Sequence, residues 1–495
     1  MNYFEQIREE VYSWVRRGND NPYEAVLLRA SGDNTAWMEE YGLPVLPQER
    51  QLAEFLFAYD AEQLALMGNR IVDAFLHGFI SQSRDRAGRT LVRFSYQLGQ
   101  EAIAREVYFA LVQKGLEPSV QKPGCLTCEK TDRTVYNMAD CLEKCAAYEA
   151  AFQQYDAQMR NTCGMIGIIQ FGEAPPEPGE TQGTRQQREL TAKLNGYKRG
   201  LESERIPPAT ISFCKVAFPN LFAGERFEEI FQDVFQMNLQ NSEPYERMQQ
   251  TVIDALDLCA EIRVVGRGEN RTDLTIRLLE LRDSSKQSNF LNCGGDLNIP
   301  YGEVFTTPVL EGTNGLLHVR EVYLSGIPYR ELELTFRDGY LVRADSADGA
   351  AYVKRNLLNP HDTLTAGEFA IGTNTSAYAI ALRYGLLPRI PILWLEKMGP
   401  HLAIGDPCFA RGEDACVFNL YDGKEMTARE NERTARRDKD REVYYNKHVD
   451  ITIPFQDIGA LYGVAQNGER HMIVKDGRFV LPGAEGLNEG LEEPA

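Results

Sequence analysis

The stretch His448-Val449-Asp450-Ile451-Thr452-Ile453-Pro454 (HVDITIP) reads as a strand with two unlike faces. Side chains alternate across a strand, so His448, Asp450 and Thr452 share one face and Val449, Ile451 and Ile453 the other. The apolar face can enter a core. The polar face presents an imidazole and a carboxylate two residues apart, both good ligands for Zn²⁺, Co²⁺ or Mn²⁺. The plainer reading is a half-exposed strand with ordinary polar residues. The chain has only six histidines, which makes this pair less ordinary.

Working upstream, EKMGPHLAIGD (396–406) carries Glu396 at the end of an apolar stretch and His401 just beyond a Gly-Pro pair. Gly399 and Pro400 rule out an unbroken helix, so this is not the His-Glu helix of the zincin proteases. A turn can instead bring carboxylate and imidazole together. His401 then shares a strand face with Ala403 and Gly405, small residues that leave room around the ring. Glu303 lies in NIPYGEVFTTP and Glu368 in AGEFAIGTN, each opening an apolar strand. Glu368 shares its face with Ala370 and Gly372. Alone, each is the solvated glutamate expected at a strand start. Taken as a set, Glu303, Glu368, Glu396 and Asp450 would repel if clustered and would take up protons. Two divalent ions would neutralise them, with His401 and His448 adding neutral nitrogens. Such a set suits a dinuclear site in which a shared water attacks a polarised carbonyl. The residues by themselves leave an unrelated scatter of acids open.

The whole chain fits this direction. At 495 residues it is too long for one ordinary core, so two or more domains are expected. Its formal net charge is −19. That excludes nucleic acid as the expected partner, since phosphate contacts need a basic surface, and favours cations. The start, MNYFEQIREEVYSWVRR, is not a secretory signal. No run approaches the roughly 18 apolar residues needed to span a membrane. Ten cysteines are too sparse for a disulfide scaffold, which points to a reduced, cytoplasmic setting.

The first half alternates helical and strand patterns. Residues 51–77 and 96–115 have helical character; 91–94, 165–171 and 210–218 read as strands, and 225–237 as a helix. EAPPEPGETQGTRQQ (173–187) reads as a flexible segment. From about residue 270 the chain turns to strands and glycine turns. The expected organisation is α/β: an N-terminal α/β domain over 1–268, and a second, mixed α+β domain over 269–495. The charged run TARENERTARRDKDRE (427–442) suggests a solvated helix at the mouth of the site.

Within the first domain, 120–150 looks like a cysteine-rich insertion. Cys125 and Cys128 form a C-x2-C pair, Cys141 and Cys145 a C-x3-C pair. Two close pairs can grip one structural Zn²⁺. Four thiolates also suit an iron–sulfur cluster, and four ordinary cytosolic thiols are the bland alternative.

The motifs of the second half, from TDLTIRL at 272 through NCGGDLNIPYGEVFTTP, AGEFAIGTN and EKMGPHLAIGD to HVDITI, resemble in order and spacing the thermophilic aminopeptidase (peptidase M29) family. The resemblance is firm over about 265–480. It implies an aminopeptidase, a hydrolase that removes residues from peptides with a free N-terminus. It implies a cytoplasmic homodimer using two divalent ions (Zn²⁺, Co²⁺ or Mg²⁺) and a water bridging them. It also implies Glu303, Glu368, Glu396, His401, His448 and Asp450 as metal ligands, with Glu368 the catalytic carboxylate beside the water. One departure is Cys408, which stands where the family usually has a tyrosine; Tyr444 or Tyr445 could substitute. That departure leaves two alternatives: a non-catalytic metal-binding or assembly protein retaining the fold, and a cysteine peptidase using Cys408.

Overall fold

In the computed structural model, the described residues are 3–127, 135–174, 184–294, 297–324, 326–409, 416–436 and 443–492. They fall into two compact units. The first comprises Met1–Gly172, Gln182–Leu239 and Asp296–Ile299; the second consists chiefly of Gln240–Gly295 and Pro300–Ala495.

The first unit is built on a parallel sheet. Its strand order is Glu117–Val120, Leu91–Ser95, Thr162–Phe171, Ser212–Pro219 and Asn298–Ile299. Parallel strands are covered on both faces and read as near-continuous apolar runs; TCGMIGIIQF is such a run, with Ile166 and Ile168 essentially inaccessible. The helices Ala61–Ser81 and Glu101–Gln113 pack closely, because Gly68 offers no Cβ to the Glu106 backbone. Asp60 starts the first of these by accepting from Gln63 N, which splits the expected 51–77 stretch into Pro47–Phe57 and Ala61–Ser81. The strands and helix anticipated at 91–94, 165–171, 210–218 and 225–237 are present as Leu91–Ser95, Thr162–Phe171, Ser212–Pro219 and Phe227–Leu239.

Among the described residues, Cys125 does not gather with Cys141 and Cys145. Cys125 is disulfide-bonded and packs against the cluster around Trp37 and Tyr41. Cys141 and Cys145 keep free thiols on the helix Met138–Gln154, in a different cluster around Phe152. Cys128 lies outside the described residues, as does most of the Pro/Gly-rich segment expected to be flexible. A disulfide-bonded Cys125 has no thiolate to offer an ion.

The second unit holds two antiparallel sheets. The larger has eight strands, in the order Tyr340–Asp345, Ile327–Arg337, Val309–Leu324, Asp273–Arg277, Glu261–Gly266, Ile458–Val464, Arg470–Lys475 and Arg478–Phe479. The smaller has five: His448–Thr452, Pro400–Gly405, Ala366–Gly372, Glu303–Thr306 and Leu291–Cys293. The units divide at Leu239/Gln240, well before the 268/269 boundary anticipated from composition. The reason is the helix Glu243–Leu256, which packs on the small sheet. Its buried Gln249 donates to Asn292 Oδ1 at 2.7 Å and to the Glu303 carbonyl at 3.1 Å.

The charged connector is not a helix over its described part. Only the turn Thr434–Arg436 is helical, and Ala428, Asn431 and Thr434 are buried. Asn431 Oδ1 accepts from the backbone of Arg433 and Thr434, and Glu432 from that of Leu310 and Glu311. Side chains that bind nearby backbone in this way compete with helix.

Candidate metal centre

The five-stranded sheet puts five of the six singled-out residues, all but Glu396, on one face. Paired residues of antiparallel strands point to the same side. Here Glu303 pairs with Gly372, and His401 with Ala370. Glu368 and Asp450 both pair with Ala403, and His448 pairs with Gly405. Every strand-borne acid or histidine therefore faces a glycine or alanine on the neighbouring strand. Large residues of the opposite face, Phe369, Ile371, Leu402 and Ile451, are buried. Gly405 takes φ +121°, and a Cβ there would run into the Lys447 carbonyl.

The side chains converge. His401 Nε2 lies 3.2 Å from Glu303 Oε1, 3.4 Å from Glu368 Oε1 and 3.9 Å from Asp450 Oδ1. His448 Nε2 is 3.0 Å from Asp450 Oδ1 and 4.0 Å from Glu368 Oε2. Two overlapping triads result. Donor atoms of Glu303, Glu368 and His401 lie within 4.8 Å of one another, as do those of Glu368, His448 and Asp450. Glu368 belongs to both. Glu396 belongs to neither; it sits on the short turn Glu396–Met398, its Oε1 3.1 Å from Lys397 Nζ.

Two residues that the sequence reading passed over support this face. Lys397 is 2% exposed and its ammonium contacts Glu303 Oε2 as well as Glu396. Asp406 holds the approach to His448: its carboxylate accepts from the backbone N–H groups of Tyr445 (2.8 Å) and Asn446 (2.7 Å). Its carbonyl lies 2.7 Å from His448 Nδ1. The only sequence signals were a lysine beside a glutamate and a Gly-Asp-Pro turn.

The electrostatics follow from this crowding. Burial works against charge on His448, but Asp450 and Glu368 more than offset it and raise its pKa to about 10. His401 is likewise raised, against burial, by Glu303 and Glu368. Asp450, despite burial, is held down to about 2 by His448. Glu303 is held low, against burial, by Lys397 and His401. Glu396 is pushed up to about 7, chiefly by burial, with Glu303 and Asp450 adding to it.

This donor set fits divalent metal. Carboxylates and imidazoles are ligands for Zn²⁺ and Co²⁺. The buried donor atoms of Glu303, Glu368 and His401 crowd within 4.8 Å of one another, and Glu368 Oε2 makes no regular hydrogen bond among the described residues, as ligand atoms aimed at an ion would.

Cys408 sits at the rim, with its thiol against Glu368. Crowding and the Glu368, Glu303 and Asp450 carboxylates push that thiol well above its usual pKa, the opposite of what a nucleophilic cysteine needs. The expectation that Tyr444 or Tyr445 fills the place of the missing tyrosine meets one structural fact at Tyr445. Its ring packs edge-on against His361 and lies under the Arg433 guanidinium at 4.0 Å.

A family model described as thermophilic metalloprotease (M29) matches residues 89–479. The chain belongs to the M29 family. The match reaches well into the first unit, beyond the 265–480 span of the motif resemblance. Among curated proteins, the M29 chain is similar to Aminopeptidase 2 of Geobacillus stearothermophilus, at 27% identity over 185 residues. That alignment spans 37% of this chain and 40% of the relative. Among solved structures it is similar to wild-type AmpT from Thermus thermophilus, with TM-score 0.54 and 16% identity. The superposition covers 85% of this chain and 99% of AmpT. At that identity the likeness shows the α/β fold, consistent with the class expected from the sequence. No helix among the described residues is long and apolar enough to cross a membrane.

Proposed function

We propose that this M29 metallopeptidase is an aminopeptidase that holds two divalent ions, one in each triad, and cleaves the first peptide bond of substrates with a free N-terminus. The observation that carries the reading is the pair of donor triads joined by Glu368. Bound there, two divalent ions would supply a shared nucleophilic water and polarise the scissile carbonyl. Glu303 and His401 would hold one ion, His448 and Asp450 the other, and Glu368 belongs to both donor groups. Glu368, as the carboxylate shared by the two groups, would take the proton of the attacking water. The carboxylate surplus attracts the substrate's α-ammonium group. A twofold homodimer and a cytoplasmic setting belong to the same proposal; twofold dimers are the commonest oligomers, and eight cysteines keep free thiols although Cys125 is disulfide-bonded. Light scattering that returned one chain mass would refute the dimer.

The test compares free and N-acetylated peptides, using metal-free protein and protein resupplied with Zn²⁺, Co²⁺ or Mg²⁺. Release of residues from free peptides alone, and only with metal, supports the proposal. Equal cleavage of blocked peptides, or full activity without metal, sinks it. The non-catalytic alternative draws on Cys408 in the tyrosine's place. It calls for less than one equivalent of metal bound at micromolar free ion.

A further inference from the structure

We infer that Lys397 is a resident cation that makes the two ion positions unequal, so that the Glu368–His448–Asp450 position loads first and the Glu303–Glu368–His401 position is the weaker, exchangeable one. The inference rests on the two-ion reading above and goes beyond it.

Three observations carry it. First, Lys397 is almost fully buried, and its ammonium contacts carboxylate oxygens of both Glu303 and Glu396. Second, the two oxygens of Glu303 are divided, Oε1 facing His401 at 3.2 Å and Oε2 facing Lys397. Third, Glu396 is in neither triad and is instead paired with Lys397 at 3.1 Å. The first position therefore has one carboxylate half engaged, a second carboxylate withheld and a fixed positive charge one side chain away. Like charges repel most where water is excluded. At the second position Lys397 makes no such contact: among the described residues Asp450 meets imidazoles at close range, 3.0 Å from His448 and 3.9 Å from His401, and it feels the Lys397 charge only from farther off. Lys397 touches neither substrate nor reacting atoms in this account. It is a positioning residue that sets how tightly Glu303 and Glu396 are available to metal.

The experiment is a calorimetric titration of metal-free full-length protein with Zn²⁺, repeated with Co²⁺, and with thermal melting as a check on folding. Wild type should bind two ions in steps separated by at least tenfold in affinity. His401→Ala should remove the weak step and leave the tight one; His448→Ala should remove the tight step. Lys397→Met frees both glutamates and deletes the repulsion, so the weak step should tighten at least tenfold. Lys397→Arg keeps the charge and should keep the two steps apart. If Lys397→Met melts early, Lys397→Gln provides the same comparison with a polar side chain. Two equal steps in wild type, the reverse assignment by the histidine variants, or a neutral substitution that leaves or weakens the second step would overturn the inference. A saturating count below two ions would instead overturn the two-ion reading itself, which keeps the two failures apart.

Discussion

Asp406 holds His448 in two ways at once: its carbonyl meets the imidazole Nδ1 at 2.7 Å, while its carboxylate grips the backbone of the residues just before the histidine. Ligating histidines depend on such partners to fix ring orientation and tautomer. Asp406→Asn should keep the carbonyl contact but weaken the backbone clamp. We expect metal affinity to fall by about tenfold to a hundredfold, with kcat falling in step. Metal titration of the variant checks this; unchanged affinity would show the clamp to be scaffolding only.

Glu368→Gln removes the carboxylate common to both triads while preserving its size. Turnover should drop by roughly 10²–10⁴. The metal-free protein should still fold, whereas the metal-bound protein should melt earlier because a ligand shared by both positions is weakened. Parallel kcat and melting measurements separate a chemical loss from a folding one.

Ala403 is fully buried and pairs with both Glu368 and Asp450. Ala403→Val pushes two methyl groups into the space between them. Overpacking of this kind costs about 1–3 kcal/mol, seen as a lower melting temperature. Bound metal should fall as well, whereas a substitution on the opposite face, such as Leu402→Val, should cost stability without changing the metal count.

Glu101, fully buried in the first unit, offers a pH test on a residue outside the donor set. Burial is the main cause of a carboxyl pKa raised to about 8, with Glu49 adding to it. Between the ordinary glutamate value and 8 the folded protein holds a proton that the unfolded chain has released. The stabilisation is thus complete below about 4.3 and is lost as pH rises through about 8. Glu101→Gln should flatten this dependence and be the more stable protein above pH 8, by on the order of a few kcal/mol. Chemical denaturation at several pH values reads it directly.

The alternation of His448 with Asp450, and of His401 with Ala403 and Gly405, is visible in the sequence because strand geometry is local, and those faces are the ones in the sheet register. What local reasoning missed depends on tertiary neighbours. Lysine is a surface residue by default, and only the turn at Glu396–Met398 drives Lys397 inward. Asp406 reads as the start of an Asp-Pro turn, and its backbone partners lie some forty residues away. The boundary was placed late because the helix Glu243–Leu256, with its buried Gln249 and Gln250, carries no compositional mark of the unit it supports. Glu396 stands outside the two donor triads, beside Lys397, a placement that a Glu-Lys pair in a turn does not reveal from sequence.

The chain's brief return to the first sheet at Asn298–Ile299 limits how this protein can be dissected. The two units are interleaved in sequence, so no single truncation yields either one whole. A fragment stopping at Leu239 would lack the strand that pairs with Lys215 and Val216. Its sheet would end on the bare edge of Ser212–Pro219, whose Val216, Ala217 and Phe218 are normally hidden. Unpaired apolar edges recruit other chains, so such a fragment is expected to aggregate.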